Sequence, residues 1–446
     1  MNILFIFILA LLILPLLILA IRKMDDLFLL LISLVFLISW VADELLLVPH
    51  FFTWSIEFVI AILFINYLLP KIVFLKKVEI TPIGKYALIL LLYTIFGSFI
   101  YLINFSDFLL GFRAFFRYLF LFFIFVNSDF SKHAYKKFFK CWLFFMSIQP
   151  FIAFYQYFVE KKLGDPVFGT LNSTGLAAVL LIIFIICLID LINRNKIPNY
   201  ILYIFIFLSM TIIPIFGEAK AFFYFLPIIL FIRYFDQIIK GQQLLNISKF
   251  LIVFASIIFL FQTFFGVQLF SISGMNINDF RFSQGVMSVL QNESQQTLAI
   301  SLSERFLSLV ALYDFLNQSF LNVLFGEGLG SNIFVYESRT NFLIETNQDY
   351  LKKFALSSFI TNIGLVGFIL FCFMLFKISL YAYQSSFLVE DLTLKSIYKT
   401  IPAFSVLFIL SLFYTDPFED VISFSYWFFV MSLMYSSKDK TITLDN

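Results

Sequence analysis

The chain has 446 residues, of which 61% are hydrophobic and only 13% charged, and its mean hydropathy is +0.98. A soluble domain carries roughly 45–50% apolar and about 25% charged residues, so no soluble core could hide this much apolar surface. A net charge of +2, with no basic cluster interleaved with aromatics outside the apolar runs, sets nucleic acid aside as a partner.

Run length selects helices over a barrel: residues 3–21 are unbroken, and 176–192 are interrupted only by Asp190. Both approach the ~20 residues a helix needs to cross a bilayer, and the dyad alternation of barrel strands is absent. The expected fold is an all-α polytopic membrane protein of about 12–13 transmembrane helices with one large extracytoplasmic loop. The 67 phenylalanines read as compositional bias and lipid-facing bulk.

In chain order, the spans are expected near 2–21, 27–42, 54–70, 86–103, 108–127, 138–159, 174–192, 199–216, 219–235, 249–266, 357–380, 401–415 and 421–435. The first has Arg22 and Lys23 after it and no small-residue cleavage site, so it reads as a retained span. Residues 1–266 thus form a bundle of ten spans, 267–356 the large loop, and 357–446 the last three spans and a tail. Lys and Arg gather in one parity of short connections, among them Lys71, Lys85, Lys132, Lys136, Lys137, Lys140, Arg233, Lys377, Lys395 and Lys399. By the positive-inside rule that side is cytoplasmic. The opposite parity holds Asp43, Glu44, Asp107, Asp416, Glu419 and Asp420, and the large loop lies with it on the outer face.

The fifth span reads FSDFLLGFRAFFRYLFLFFIFVN, with Arg113 and Arg117 four residues apart on one helical face in its outer half. An intramembrane Arg costs about 2.5–3.5 kcal/mol on insertion scales and marks a functional cavity by default. The plain alternatives are snorkelling for Arg113 and a structural ion pair for Arg117. A fork of two guanidiniums suits phosphate or pyrophosphate oxygens. Gly217-Glu218-Ala219-Lys220 is a second polar intrusion between two spans, and it could equally be a solvated helix terminus.

In the large loop, Glu304 through Leu321 spaces apolar residues as an amphipathic helix does, and Gly326, Gly328 and Gly330 in GEGLG then permit a tight turn. Arg281, Arg305, Arg339, Lys352 and Lys353 add positive charge there, as any solvated loop would. The two histidines, His50 and His133, are expected on opposite sides, so no His pair with metal-ligand spacing exists; Cys141, Cys187 and Cys372 all fall in apolar runs. No cofactor and no His- or Cys-based metal site is expected, a site made of carboxylates alone being left open, and neither a P-loop nor a nucleotide-binding glycine fingerprint is present.

Four stretches, in order, resemble the O-antigen polymerase and O-antigen ligase superfamily of bacterial envelope polysaccharide synthesis. Phe168-Gly169-Thr170-Leu171-Asn172-Ser173-Thr174-Gly175-Leu176-Ala177 is similar to the family's Gly- and Asn-bearing start of a span. Gly217-Glu218-Ala219-Lys220-Ala221 stands where the family has a small residue, Ser and Arg. Arg305, its helix and Gly326-Glu327-Gly328-Leu329-Gly330 resemble the Arg-then-G-x-G-x-G pattern, and Asn362-Ile363-Gly364-Leu365-Val366-Gly367 resembles the Gly-Leu-x-Gly start of the next span. The likeness covers roughly 165–375; Lys220 replaces the usual Arg, and Lys352 or Lys353 falls where ligases carry His.

The resemblance implies a GT-C-like bundle in the bacterial inner membrane. It implies a metal-independent glycosyltransferase that joins polyprenyl-pyrophosphate-linked repeat units at the outer face, with a chain-length regulator as a possible partner. Arg305, Lys220 and Glu218 become the catalytic candidates, and Arg113, Arg117, Arg281 and Lys353 the substrate-binding ones. An O-antigen ligase, a lipid-linked oligosaccharide flippase and a secondary transporter are the competing readings. No inverted repeat favours the last of these.

Overall fold

The computed structural model describes residues 24–74, 78–128, 130–162, 166–171, 173–192, 199–217, 219–239, 308–331, 355–418 and 420–435. Among them every regular element is helical. Eleven of the thirteen expected spans coincide with described helices; 2–21 and 249–266 lie outside the described residues. Helix α1 is Met24–Ser39, run on by a π-helical turn over Trp40–Glu44. It is followed by α2 (Phe51–Val73), α3 (Pro82–Ile100), α4 (Phe105–Val126), α5 (Lys132–Phe158) and α6 (Thr174–Ile192). Then come α7 (Asn199–Thr211, with a π-helical turn to Phe216) and α8 (Lys220–Ile239). From the loop come α9 (308–318) and α10 (Phe320–Phe325), and the chain continues as α11 (Ala355–Leu388), α12 (Leu392–Ser411) and α13 (Asp420–Met431). Eight of these helices are long and apolar enough to cross a membrane, and the chain is a multi-pass membrane protein.

Helix α6 is buried on every side from Thr174 to Leu188 and is apolar all round, as a central helix must be. It packs against α5, α7, α8, α12 and α13. The peripheral helices instead turn large apolar residues outward: Ile89, Leu92, Phe96 and Phe99 on α3, Phe144 and Phe151 on α5, Ile369, Phe373 and Phe376 on α11. Such a surface is stable only against lipid.

Several ends are set by local chemistry. Thr81 and Ser131 cap α3 and α5 through bonds from Gly84 N–H and Ala134 N–H, each 3.1 Å. Asp391 caps α12, accepting from Thr393 and Leu394 N–H, so that helix begins nine residues before the apolar run that announces it at 401. The loop helix expected through Leu321 ends earlier, because Ser319 is extended (φ −156°) and caps α10 instead. Of its apolar residues, Ala311, Leu312 and Phe315 are buried, while Leu309, Val310 and Tyr313 face out.

The ends of the described helices pair consistently. At one end Lys162 Nζ meets Glu44 at 2.6 Å, Leu356 N–H donates to Leu412 O at 3.2 Å, and the GEGLG turn packs on the start of α4. At the other, Lys136 pairs with Asp391, Lys137 lies 3.8 Å from Asp26, and Tyr435 OH donates to Ser131 O at 3.1 Å. The segregation of acidic and lysine-rich connections noted in the sequence is therefore carried by opposite ends of the folded bundle.

Candidate functional site

Arg113 and Arg117 lie on one face of α4, near the acidic end, and both point at α2. Arg113 Nε donates to Glu57 Oε1 at 2.6 Å, and Arg117 Nη1 donates to the same oxygen. Glu57 sits in the first turn of the α-helical part of α2, where the helix dipole favours a carboxylate. The Arg113 side chain is 27% exposed and that of Glu57 22%, whereas Arg117 is 7% exposed. Arg113 stacks over Trp54, with its guanidinium carbon 4.2 Å from the ring centroid, and Arg117 over Tyr118 at 4.6 Å.

Two guanidiniums at i and i+4 repel each other, and Glu57 lies between them as a shared counter-charge. Glu57 Oε2, Ser55 Oγ and Tyr118 Oη are buried with no hydrogen-bond partner among the described residues. A buried polar atom left in that state costs about 1–3 kcal/mol.

The stretches singled out in the sequence fold together in two pairs at the same end of the bundle. The first pair, 166–171 with Gly217 and Ala219, is organised by two glutamines inside α5. Gln156 Oε1 accepts from Phe168 N–H at 3.1 Å and Gly169 N–H at 2.8 Å, while its Nε2 donates to Gly169 O at 2.8 Å. Gln149 Oε1 accepts from Thr170 N–H at 2.8 Å, and its Nε2 donates to Thr170 Oγ1 at 2.9 Å. Each buried amide thereby satisfies a turn that no strand or helix could. Gly217 abuts Val167 so closely that a Cβ there would lie 2.6 Å from its carbonyl oxygen.

The second pair is GEGLG with Asn362 and Gly364. Glu327 N–H donates to Thr361 O at 2.7 Å, Gly330 N–H to Asn362 Oδ1 at 2.9 Å, and Leu329 N–H to Ser98 Oγ at 2.8 Å. Gly330 has φ +92°, and a Cβ on it would fall 1.9 Å from Asp107 O, so only glycine fits. Gly364 (φ +75°) breaks α11 where Leu324 O presses against it. The turn is thus wedged between α3, α4 and α11, two helical turns or less from Arg113. The two pairs are joined through 412–415, since Thr415 packs on Gly175 and Leu412 bonds to Leu356.

Of the residues expected at a site, the structure brings Arg113 and Arg117 together. Lys220 opens α8 next to the first pair of stretches. Glu218, Arg281, Arg305 and Lys353 lie outside the described residues, as does the side chain of Lys220. Sequence reasoning passed over Glu57, Gln149 and Gln156, although each is a lone polar residue inside an apolar run, which is the signal for a buried partner. It also assigned Arg233 to a connection, whereas it is buried within α8 and its Nη2 bonds Asp190 Oδ2 at 2.5 Å. Among the described residues no group of three or more His, Cys, Asp or Glu could hold a metal ion.

The chain matches no model of a known protein family, and no curated protein matches it.

Proposed function

We propose that the chain is a membrane glycosyltransferase that polymerises oligosaccharide repeat units, carried on polyprenyl pyrophosphate, into an O-antigen or capsular-type polysaccharide at the outer face of the bacterial cytoplasmic membrane. One observation supports the reading: the described parts of the four stretches that resemble the polymerase and ligase superfamily pack at a single end of the bundle, which also bears the Arg113–Arg117 pair.

In this reaction a sugar hydroxyl of one lipid-linked repeat attacks the anomeric carbon of another. The bond from that carbon to the pyrophosphate oxygen breaks, polyprenyl pyrophosphate departs with the electron pair, and the hydroxyl proton passes to a carboxylate, for which Glu218 is the candidate. Arg305 and Lys220 stabilise the departing pyrophosphate, an electrostatic role in which one donor contributes about 2.7–4 kcal/mol. Arg113, Arg117, Arg281 and Lys353 hold the pyrophosphate at the membrane boundary, Arg by forked bonds. The energy is already stored in the donor, so no nucleotide sugar is required, and a chain-length regulator is the partner such a polymerase would take.

The test is the glycan profile of cells in which the chromosomal copy is replaced by wild type or by Arg305→Ala. Wild type is expected to give a ladder, and the deletion and the variant single repeats on the final carrier. Polymer stranded on the polyprenyl carrier would make the protein a ligase, repeats trapped on the cytoplasmic face a flippase, and an unchanged profile would remove the envelope-glycan reading.

A further inference from the structure

Helix α13 is too short for the membrane it stands in. Its 12 residues rise about 18 Å, against a hydrocarbon core of roughly 30 Å. Its height in the bundle is fixed at the lysine-rich end, where Tyr435 Oη donates to Ser131 O at 3.1 Å, and midway, where Trp142 Nε1 donates to Ser425 Oγ at 2.9 Å. Measured from the second bond, α13 begins about 15 Å short of the Phe158 end of α5. The connection before it stays at that depth. Thr415 packs on Gly175, and the Phe418 ring lies 4.8 Å from Phe115 and 4.5 Å from Phe359. Between those two anchors stands Asp416. Its side chain is exposed, yet protein surrounds it at longer range, which places it in a recess. A carboxylate bared to lipid at such depth is expensive, so the recess is one that water fills. Asp416 Oδ1 accepts from Phe418 N–H at 2.9 Å, and Oδ2 has no hydrogen-bond partner among the described residues.

We infer that Asp416 takes the proton of the attacking sugar hydroxyl, on the floor of a water-filled recess at the acidic end of the bundle. This rests on the polymerase reading above and moves the proton from Glu218 to a carboxylate whose place in the fold is described. The hydroxyl oxygen bonds to the anomeric carbon as the bond from that carbon to the pyrophosphate oxygen breaks. The hydroxyl proton passes to Asp416 Oδ2, and the electron pair leaves on the pyrophosphate. The carboxylic acid so formed returns its proton to water in the recess before the next linkage. Its surroundings suit the role: the Tyr414 ring lies 6.4 Å from that of Phe225 on α8, the helix that Lys220 opens. The proton acceptor and a candidate leaving-group cation thus come from neighbouring elements.

Asp416→Asn separates this role from that of a turn residue, because Asn Oδ1 still accepts from Phe418 N–H while the side chain no longer binds a proton. The full chain is assayed in liposomes with a polyprenyl-pyrophosphate-linked oligosaccharide as donor and acceptor. In Asp416→Asn kcat is expected to fall about 100-fold or more with KM nearly unchanged and thermal unfolding as in wild type, and Asp416→Glu to recover part of the loss. A smaller fall in a folded Asn variant overturns the inference and leaves the polymerase standing; a wild type that makes no ladder removes the polymerase, and this role with it. Should the Asn variant not fold, wild type decides alone. A water-soluble carbodiimide with an amine nucleophile, followed by peptide mapping, is expected to modify Asp416 and spare the buried Asp190, with elongation falling in step. Asp416 left unmodified, or modified without loss of elongation, overturns the inference.

Discussion

Two charged clusters sit at opposite ends of this bundle and solve the same problem differently. At the lysine-rich end, Asp190 on α6 faces Arg233 on α8: Oδ2 accepts from Arg233 Nη2 at 2.5 Å and from Ser396 Oγ, and Oδ1 accepts from Tyr234 Oη at 3.0 Å. One cation meets one anion, both carboxylate oxygens are used while Arg233 Nε has no hydrogen-bond partner among the described residues, and the Arg233 and Asp190 side chains are 4% and 9% exposed. At the acidic end Arg113 and Arg117 share one oxygen of Glu57, its other oxygen has no hydrogen-bond partner among the described residues, and two of the three side chains are more than a fifth exposed. The closed cluster ties α6, α8 and α12 together; the other joins α2 to α4 and is the more exposed of the two.

The largest effect belongs to the closed cluster. Asp190→Ala leaves Arg233 buried and unpaired, which costs about 3–5 kcal/mol. Thermal unfolding in detergent should show a large fall in midpoint, and a loss under about 1 kcal/mol would mean that this cluster is not the clamp described. Next, Arg117→Ala should weaken pyrophosphate binding about ten- to hundred-fold, the scale of one charge-assisted hydrogen bond, while costing less stability than Asp190→Ala. Equal stability losses would erase the distinction between the two ends.

A third experiment sharpens the contrast. Replacing the closed pair by apolar residues of similar size, Asp190→Leu with Arg233→Met, should leave stability within about 1–2 kcal/mol of wild type, because a buried pair rarely outperforms good packing. The parallel Glu57→Leu with Arg117→Met should instead weaken pyrophosphate binding by no more than the ten- to hundred-fold expected from loss of Arg117. The smallest effect is at the partly exposed Lys136–Asp391 pair. Burial alone would raise the Asp391 pKa, but the bond from Lys136 and those from Leu394 and Thr393 N–H hold it below the usual carboxylate value. Its stabilisation is thus present above the unfolded pKa of about 3.9 and is lost as pH falls through the lower folded value. For a pair this exposed the loss is at most about 1 kcal/mol, and Lys136→Met should flatten that acid limb of a stability–pH profile.

The helices were legible because run length and polar punctuation depend on local sequence alone, down to the span at 174–192, which the structure reproduces residue for residue. The helix pair Arg113–Arg117 was legible for the same reason, as i and i+4 share a face whatever the fold. Their partner was not. Glu57 is 56 residues away from Arg113 and meets it only because α2 and α4 pack side by side. The same holds for Gln156 with 168–169 and for Gly330 with Asn362, where proximity is decided by packing rather than by periodicity. Ends were misjudged where a cap outweighed hydropathy: Asp391 starts α12 inside a polar stretch, and Ser319 divides a continuous apolar pattern.

The most direct test of the central claim is reconstitution of the purified full chain in liposomes with a polyprenyl-pyrophosphate-linked oligosaccharide as both donor and acceptor. A ladder of longer glycans, with one polyprenyl pyrophosphate released per linkage and both lost in Arg113→Ala/Arg117→Ala, is the predicted result. A wild-type chain that folds and binds the lipid yet makes no ladder, or a ladder undiminished in the double variant, would contradict it.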